Sequence, residues 1–511
     1  MADSNRREEN GFSLKTDSRL IGNDLRSVPA AFRTLFWYDI AGLWVGMVVC
    51  VPSYYMAGSL IDLGMSWWQG IATIVCGNTI ILIPLILNGH PGARYGISFP
   101  ILLRSAFGIQ GAYVPALFRA LVACGWCGIE TWIGGQAIFL LLLPSSLKLS
   151  WYAQPLSWLG ISVLEFCCFL LFLLVQLGIL WKGMDRIKSL EKYSAPVLIL
   201  MVACLFFWAY CKAGGFGEML STPSRLNPNQ FWPVFLSSLT ASITTWSGLG
   251  LNISDFTRFA NSQFDQIVGQ LGMPIFMGLF TFSGLAITSS TAVIYGRVIS
   301  NPVELFGEIG GSTLTVVIAI LGISLATITT NIPANFVAPA NALVSFSPST
   351  FSFLGAAALT GLFSMAFQPW KIIQSSENFI YTWLVGSSII LSPIMGIMLT
   401  DYYIIRRMVL DVNALYSDST QGPYYYVGGY NIAAFSTLII CVAPTVPGLL
   451  HKTGIIASTS EAFLAIYDNA WFFGIFSASI IYWLLSQGRR NSKACVDPSM
   501  LESLQPTTSI L

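Results

Sequence analysis

Trp44-Val-Gly-Met-Val-Val-Cys-Val-Pro52 lies inside an apolar run long enough to cross a bilayer, yet it puts Gly46 and Pro52 where such a helix would be mid-membrane. A helix interrupted there leaves backbone carbonyls and amides unpaired. In hydrocarbon each costs several kcal/mol unless protein, water or a ligand satisfies it. A second stretch, Trp246-Ser-Gly-Leu-Gly-Leu-Asn-Ile-Ser254, crowds Gly248, Gly250 and Asn252 in the same way and is expected to break its helix too. Close packing through small residues is the alternative for a lone interrupted span. Here the two stretches fall in the first and sixth spans, corresponding members of two five-helix halves. That is the pattern of inverted-repeat secondary transporters, whose site lies at the breaks.

The rest of the chain supports a polytopic membrane protein. Of 511 residues, 54% are apolar and 10% charged, against about 25% charged in soluble domains. Runs long enough to span occur near 36–58, 67–87, 113–143, 158–181, 192–212, 231–253, 268–290, 314–344, 351–370, 378–400, 431–449 and 464–485. An even count puts both termini on one side. Nineteen Lys and Arg, with Arg94, Arg104 and Arg119 among them, then face that side and six face the other, a positive-inside bias that makes it cytosolic. The net charge of +1 gives no reason to expect nucleic acid. The first 35 residues mix five acidic with six basic side chains, unlike the acid-poor organellar transit peptides, and are read as a cytosolic tail. Cys124 and Cys127 form a CxxC without a second ligand pair, which favours packing over metal binding.

Glu130 is the most informative ionisable residue, near the middle of span three in Cys124-Gly-Trp-Cys-Gly-Ile-Glu-Thr-Trp-Ile-Gly-Gly135. A charge at that depth costs at least about 2.5 kcal/mol, so the side chain should face the interior and be paired or protonated. Trp126, four residues earlier, shares its helical face, with Gly125 and Gly128 leaving room beside the ring. Trp246 offers a second aromatic plate, and stacking on such a plate contributes about 1–3 kcal/mol per base. Span eight adds Thr327, Thr329, Thr330, Asn331 and Asn335, hard oxygen donors able to hold a small cation or a heterocycle edge. A Trp packed in the core with Glu130 bonded to a neighbouring helix is the structural alternative. Glu165 and Asp468 are expected to be inter-helix hydrogen-bonding groups, and Asp39 a group at the start of a helix. Two histidines, His90 and His451, without an acid–histidine constellation, argue against an enzyme. Matched breaks suit an occluded midplane site better than a channel.

Asn88-Gly-His-Pro-Gly-Ala-Arg-Tyr-Gly-Ile-Ser-Phe-Pro100 with Arg104 and Phe107-Gly108, then Leu251-Asn-Ile-Ser-Asp-Phe-Thr-Arg-Phe-Ala260 and Asp401-Tyr-Tyr-Ile-Ile-Arg-Arg407, resemble the nucleobase:cation symporter-1 family over residues 25 to 490. Within it the chain is most similar to plant purine and uracil permeases, of which one branch is plastidic. The resemblance implies an all-α membrane fold of twelve helices: a five-plus-five inverted-repeat (LeuT-like) core with helices one and six broken, plus two extra helices. On this basis residues 1–35 are a tail, 36–212 the first repeat, 231–400 the second, 431–485 the extra helices and 486–511 a second tail.

By the same resemblance Trp126 and Trp246 would sandwich the substrate ring, Asn335 and Glu130 would bond its edge, and the span-one contact would fall on Cys50. A sodium site would use the carbonyls of Gly46, Val49 and Ala326 and the hydroxyls of Thr329 and Thr330. The function implied is symport of nucleobases of the uracil, adenine and guanine class with a proton or sodium ion, or of allantoin- or hydantoin-like rings, with no other cofactor. The bacterial pattern has Gln at position 130 and an amide at position 50. Glutamate there could take up a proton during the cycle, so that protons rather than sodium drive transport. The membrane expected is the plasma membrane, with the plastid envelope as the alternative.

Overall fold

Span one breaks where its sequence requires. In the computed structural model, α1 (Trp37–Val48) and α2 (Val51–Asp62) meet at a bend of 57°. Val49 at φ −77°, ψ 67° is the centre of an inverse γ-turn, closed by the Cys50 N–H donating to Val48 O at 2.8 Å. Pro52 lies in the first turn of α2, where its missing N–H costs nothing. Asp39 starts α1, its Oδ2 accepting from the Phe36 N–H at 2.9 Å. The structure describes residues 25–142, 154–156, 158–182, 184–216, 220–221, 223–309, 313–347 and 350–490. Most of both expected tails, 1–24 and 491–511, lies outside the described residues.

The remaining spans are α3 (Trp67–Tyr95), α5 (Tyr113–Leu142), α6 (Val163–Trp181), α7 (Met184–Ala213), α8 (Pro228–Asn252), α9 (Gln263–Tyr295), α10 (Thr313–Asn331) continuing into α11 (Val337–Phe346), α12 (Phe353–Ala366), and three spans built around α13 (Val385–Leu399), α14 (Ile432–Val442) and α15 (Ala470–Arg490). A short helix, α4 (Phe99–Phe107), joins α3 to α5. Among the described residues nine helices are long and apolar enough to cross a bilayer, and the bent pair adds a tenth. The other two of the twelve depart from that standard for identifiable reasons. α8 is polar because it buries Ser237, Ser238, Thr240, Ser242, Thr244 and Ser247 inside the protein. α12 has 14 residues and packs against α5, α6 and α11.

Packing follows the repeat. α1, α2, α3, α8 and α9, the first two helices of each half, form one group, whereas α5, α6, α10, α11 and α12 form another. α13, α14 and α15 pack together, and α13 also lies on α8.

Three expectations are corrected. Span six does not break at its glycines: α8 runs unbroken to Asn252, and Ile253 keeps right-handed helical angles into Ser254–Thr257. Its glycines permit close approach instead, because a Cβ on Gly248 would meet the Arg119 guanidinium at 3.2 Å and one on Gly250 the Met395 methyl at 2.9 Å. Glu165 is not an inter-helix group. It forms a capping box with Ser162, its Oε2 accepting from the Ser162 N–H at 2.7 Å, so α6 begins at Val163 rather than near 158. Arg119 does not face the cytosol as the charge tally assumed; it is buried within α5. Asp468 does bridge helices, with its carboxylate 3.7 Å from Lys452 just before α15.

Candidate functional site

Three buried polar atoms, on α5, α8 and span ten, have no hydrogen-bond partner among the described residues. Glu130 on α5 is 1% exposed, and its Oε2 has no hydrogen-bond partner among the described residues. Trp246 Nε1 on α8 and Trp383 Nε1 in span ten are buried and equally unpartnered. A buried polar group left unpaired costs about 1–3 kcal/mol. Buried polar groups left unpaired in a folded protein call for an explanation, and a bound ligand is one that supplies the missing partners.

The rings around Trp126 and those around Trp246 meet edge-on. Trp126, one turn before Glu130, meets Phe379 at 6.2 Å and Trp383 at 5.8 Å between centroids, both T-shaped. Trp246 meets Trp44 at 5.4 Å, also T-shaped. Among the described residues no ring contact joins Trp126 to Trp246. The space expected beside Trp126 is partly filled: a Cβ on Gly125 would lie 2.0 Å from the Trp383 indole, and one on Gly128 would lie 2.7 Å from Ser364 O. These glycines admit neighbouring helices to the pocket wall and do not themselves hold open a cavity. A narrow cleft with room for little more than one water runs beside this turn of α5 between Ile129, Ile133, Val51, Pro52, Tyr55 and Phe379. Over it the Tyr55 hydroxyl donates to Ile373 O at 3.1 Å and Ser376 donates to Asp62 at 2.8 Å, holding the end of α2 to the segment before span ten.

Pro333 shapes the span-eight wall. Lacking an N–H, it sits in a π turn, Ile332–Phe336, between α10 and α11, a widening that frequently accompanies function. Within and just before this turn are Asn335 and Asn331, joined by Asn335 Nδ2 donating to Asn331 Oδ1 at 3.1 Å. Of the five polar residues singled out in span eight, Thr329 alone bonds back to its own helix, to Leu325 O and Ala326 O at 2.9 and 3.0 Å. Thr330 reaches across to Gly46 O in α1 at 3.5 Å. The last turn of α1 is thereby brought against α10 through Gly46 and Thr330, while the Ala326 carbonyl is taken up by the Thr329 hydroxyl. Val49 adds the γ-turn backbone at the break. Cys50, buried at the start of α2, has its Sγ 3.0 Å from Ser53 Oγ.

Two contributors were not singled out from sequence. Arg119 Nε donates to Gly248 O at 2.8 Å and Asn252 Oδ1 at 3.2 Å, and Nη2 donates to Ala334 O at 3.3 Å, so one guanidinium ties α5 to the end of α8 and to the π turn. Gln176, fully buried on α6, bonds to both Thr131 and Asn331. The signal was present in each case: a cation two helical turns before Trp126, and a lone amide in an apolar span.

Residues 27–474 match the family described as permeases for cytosine/purines, uracil, thiamine and allantoin. The chain belongs to this family. It is 56% identical to the purine-uracil permease of Arabidopsis thaliana over 93% of this chain and 80% of that one. It is 34% identical to the allantoin permease of Bacillus subtilis over 93% of this chain and 94% of the relative. Among solved structures it resembles Mhp1, a nucleobase-cation-symport-1 family transporter in a closed conformation with bromovinylhydantoin bound, at a TM-score of 0.74 and 22% identity over 93% of this chain and 97% of that one. That likeness establishes the inverted-repeat fold with its twelve helices.

Proposed function

We propose that this permease is a secondary active symporter that imports nucleobases of the uracil, adenine and guanine class. The observation that carries the proposal is the unpartnered Glu130 carboxyl on the same helical face as the Trp126 indole, with the Trp246 N–H also unpaired. A flat ring with N–H and C=O groups on its edge supplies stacking surface and the missing partners together. The Arabidopsis relative is a purine-uracil permease, which supports the same class. Trp126 and Trp246 flank the ring, Glu130 and Asn335 bond its edge, and Cys50 contributes an apolar contact from the break in span one. The Bacillus relative, an allantoin permease, keeps allantoin as the second candidate, to be separated by competition against labelled uracil.

Coupling follows from the same geometry. The carbonyls of Gly46, Val49 and Ala326 with the hydroxyls of Thr329 and Thr330 would hold sodium if sodium is the driving ion. Glu130 would serve instead if a proton is. An ionised glutamate only accepts hydrogen bonds, whereas the protonated form donates and accepts, so protonation changes which ring edge it matches. We expect labelled uracil uptake at pH 5.5 without sodium. Uptake that appears only when sodium is added rejects proton drive. Glu130→Gln, which removes the titrating group but keeps an acceptor and adds a donor, should flatten the pH dependence of uptake between pH 5.5 and 7.5. A Glu130→Gln protein with the wild-type pH profile rejects the role given to Glu130. The site of action proposed is the plasma membrane, with the plastid envelope as the alternative that imaging of a C-terminal fluorescent fusion decides.

A further inference from the structure

Asn335 does not stand alone in the pocket wall; it ends a chain of hydrogen bonds running through three helices. Gln176 Nε2 on α6 donates to Thr131 Oγ1 on α5 at 3.0 Å. Gln176 Oε1 accepts from Asn331 Nδ2 on α10 at 2.7 Å. Asn331 Oδ1 in turn accepts from Asn335 Nδ2 at 3.1 Å. An amide chain of this kind can in principle run in either direction, because a hydroxyl such as Thr131 donates or accepts equally well. Its direction is fixed here by a backbone group: Asn331 Nδ2 also lies 3.3 Å from Cys127 O, and a carbonyl only accepts. Asn331 must therefore turn its NH2 toward α5 and α6 and its oxygen toward Asn335. The Asn335 NH2 is then occupied, while its Oδ1 makes no hydrogen bond among the described residues. Gln176, Thr131 and Asn331 are all fully buried, so water does not compete for these bonds.

We propose that Gln176, acting through Asn331, is a positioning residue that holds Asn335 with its amide oxygen toward the bound ring, so that among pyrimidines this position selects a ring N–H over a ring-nitrogen lone pair. The inference rests on the nucleobase function proposed above and adds the polarity of one contact to it. Uracil and cytosine are the probes, because they have nearly the same size and shape. Uracil carries a hydrogen on N3 between two carbonyls, whereas cytosine presents a lone pair at N3 beside an amino group. An acceptor held rigidly at that edge bonds uracil and faces cytosine lone pair to lone pair.

The test measures uptake of labelled uracil and its inhibition by cytosine, normalised to surface protein. Wild type should favour uracil by at least about a hundredfold, as sites built around a substrate N–H do. Gln176→Leu removes the shortest of the bonds that hold the Asn331 amide, the 2.7 Å bond to Gln176 Oε1, and leaves the longer 3.3 Å contacts to Cys127 O and Thr131 Oγ1, so Asn331 and Asn335 are held less firmly. It should lower that preference by about tenfold and raise the KM for uracil, with the maximal rate changed less than about twofold. Gln176→Glu keeps an oxygen for Asn331 and, protonated, a donor for Thr131, and should retain most of the preference. A Gln176→Leu protein with the wild-type uracil-to-cytosine ratio overturns the inference, as does a wild type that does not discriminate between the two bases. If Gln176→Leu fails to reach the membrane, Thr131→Val decides. It removes the acceptor of Gln176 and the 3.3 Å contact of Asn331 Nδ2 with the same hydroxyl, and should lower the preference by about threefold, and an unchanged ratio overturns the inference. Wild-type protein that takes up no nucleobase overturns the proposed function, and this inference with it. Uptake with unaltered selectivity overturns the inference alone.

Discussion

Replacing Trp246 by alanine should raise the KM for uracil uptake by about ten- to a hundredfold, the equivalent of losing one aromatic stacking surface of about 1–3 kcal/mol. Trp246 lies on α8 with its ring edge-on to Trp44 and its N–H unpaired, so substitution removes both a plate and a donor from the pocket. Trp126, by contrast, is flanked by Phe379 and Trp383, whose rings can partly cover for it. Trp246→Phe separates the two losses. It keeps the plate without the N–H and should recover most of the affinity, leaving a deficit of about three- to tenfold for the missing hydrogen bond. Because a buried indole also supports packing, uptake is normalised to surface protein, and binding is measured on purified protein by ligand-induced change in melting temperature. A Trp246→Ala protein with wild-type KM removes this ring from the site.

Arg119→Leu is the second large effect, and it acts on stability. The guanidinium satisfies Gly248 O, Asn252 Oδ1 and Ala334 O together, joining α5, the end of α8 and the π turn of span eight. Leucine would leave these acceptors unpaired in a water-poor interior at about 1–3 kcal/mol each, a total loss of roughly 3–5 kcal/mol. Purified Arg119→Leu should melt at least about 5 °C below wild type and reach the membrane in lower amount. Lysine is not an adequate replacement. Arg119→Lys retains the charge, but a compact ammonium cannot reproduce a planar fork that reaches two other helices, so it should recover less than half of the lost melting temperature. Unchanged melting and uptake in Arg119→Leu would show that these contacts contribute nothing.

The apolar spans and the break in span one were legible from local chemistry. Hydrophobic length is a property of each segment, and Pro52, lacking an N–H, cannot bond back to Val48 O, so it favours a new helix start there. The same logic failed at Gly248 and Gly250. Glycine tolerates an interruption without requiring one, and there the deciding neighbours are Arg119 and Met395, distant in sequence. The interior position of Glu130 followed from the cost of a charge in lipid, but the room beside Trp126 did not, because Trp383 from span ten occupies the space at Gly125.

Sequence by itself determined which residues are too polar for lipid and must therefore turn inward, Glu130, Asn331, Asn335 and equally Gln176, whereas it placed Arg119 at the cytosolic face. Tertiary structure alone decided what each meets there. The partners come from α5, α6, α8 and α10, and a hydrogen bond's direction depends on whether the group opposite can donate, accept or do both. Burial is a one-body property that a residue carries along the chain, whereas pairing is a property of two helices and exists only once they are packed.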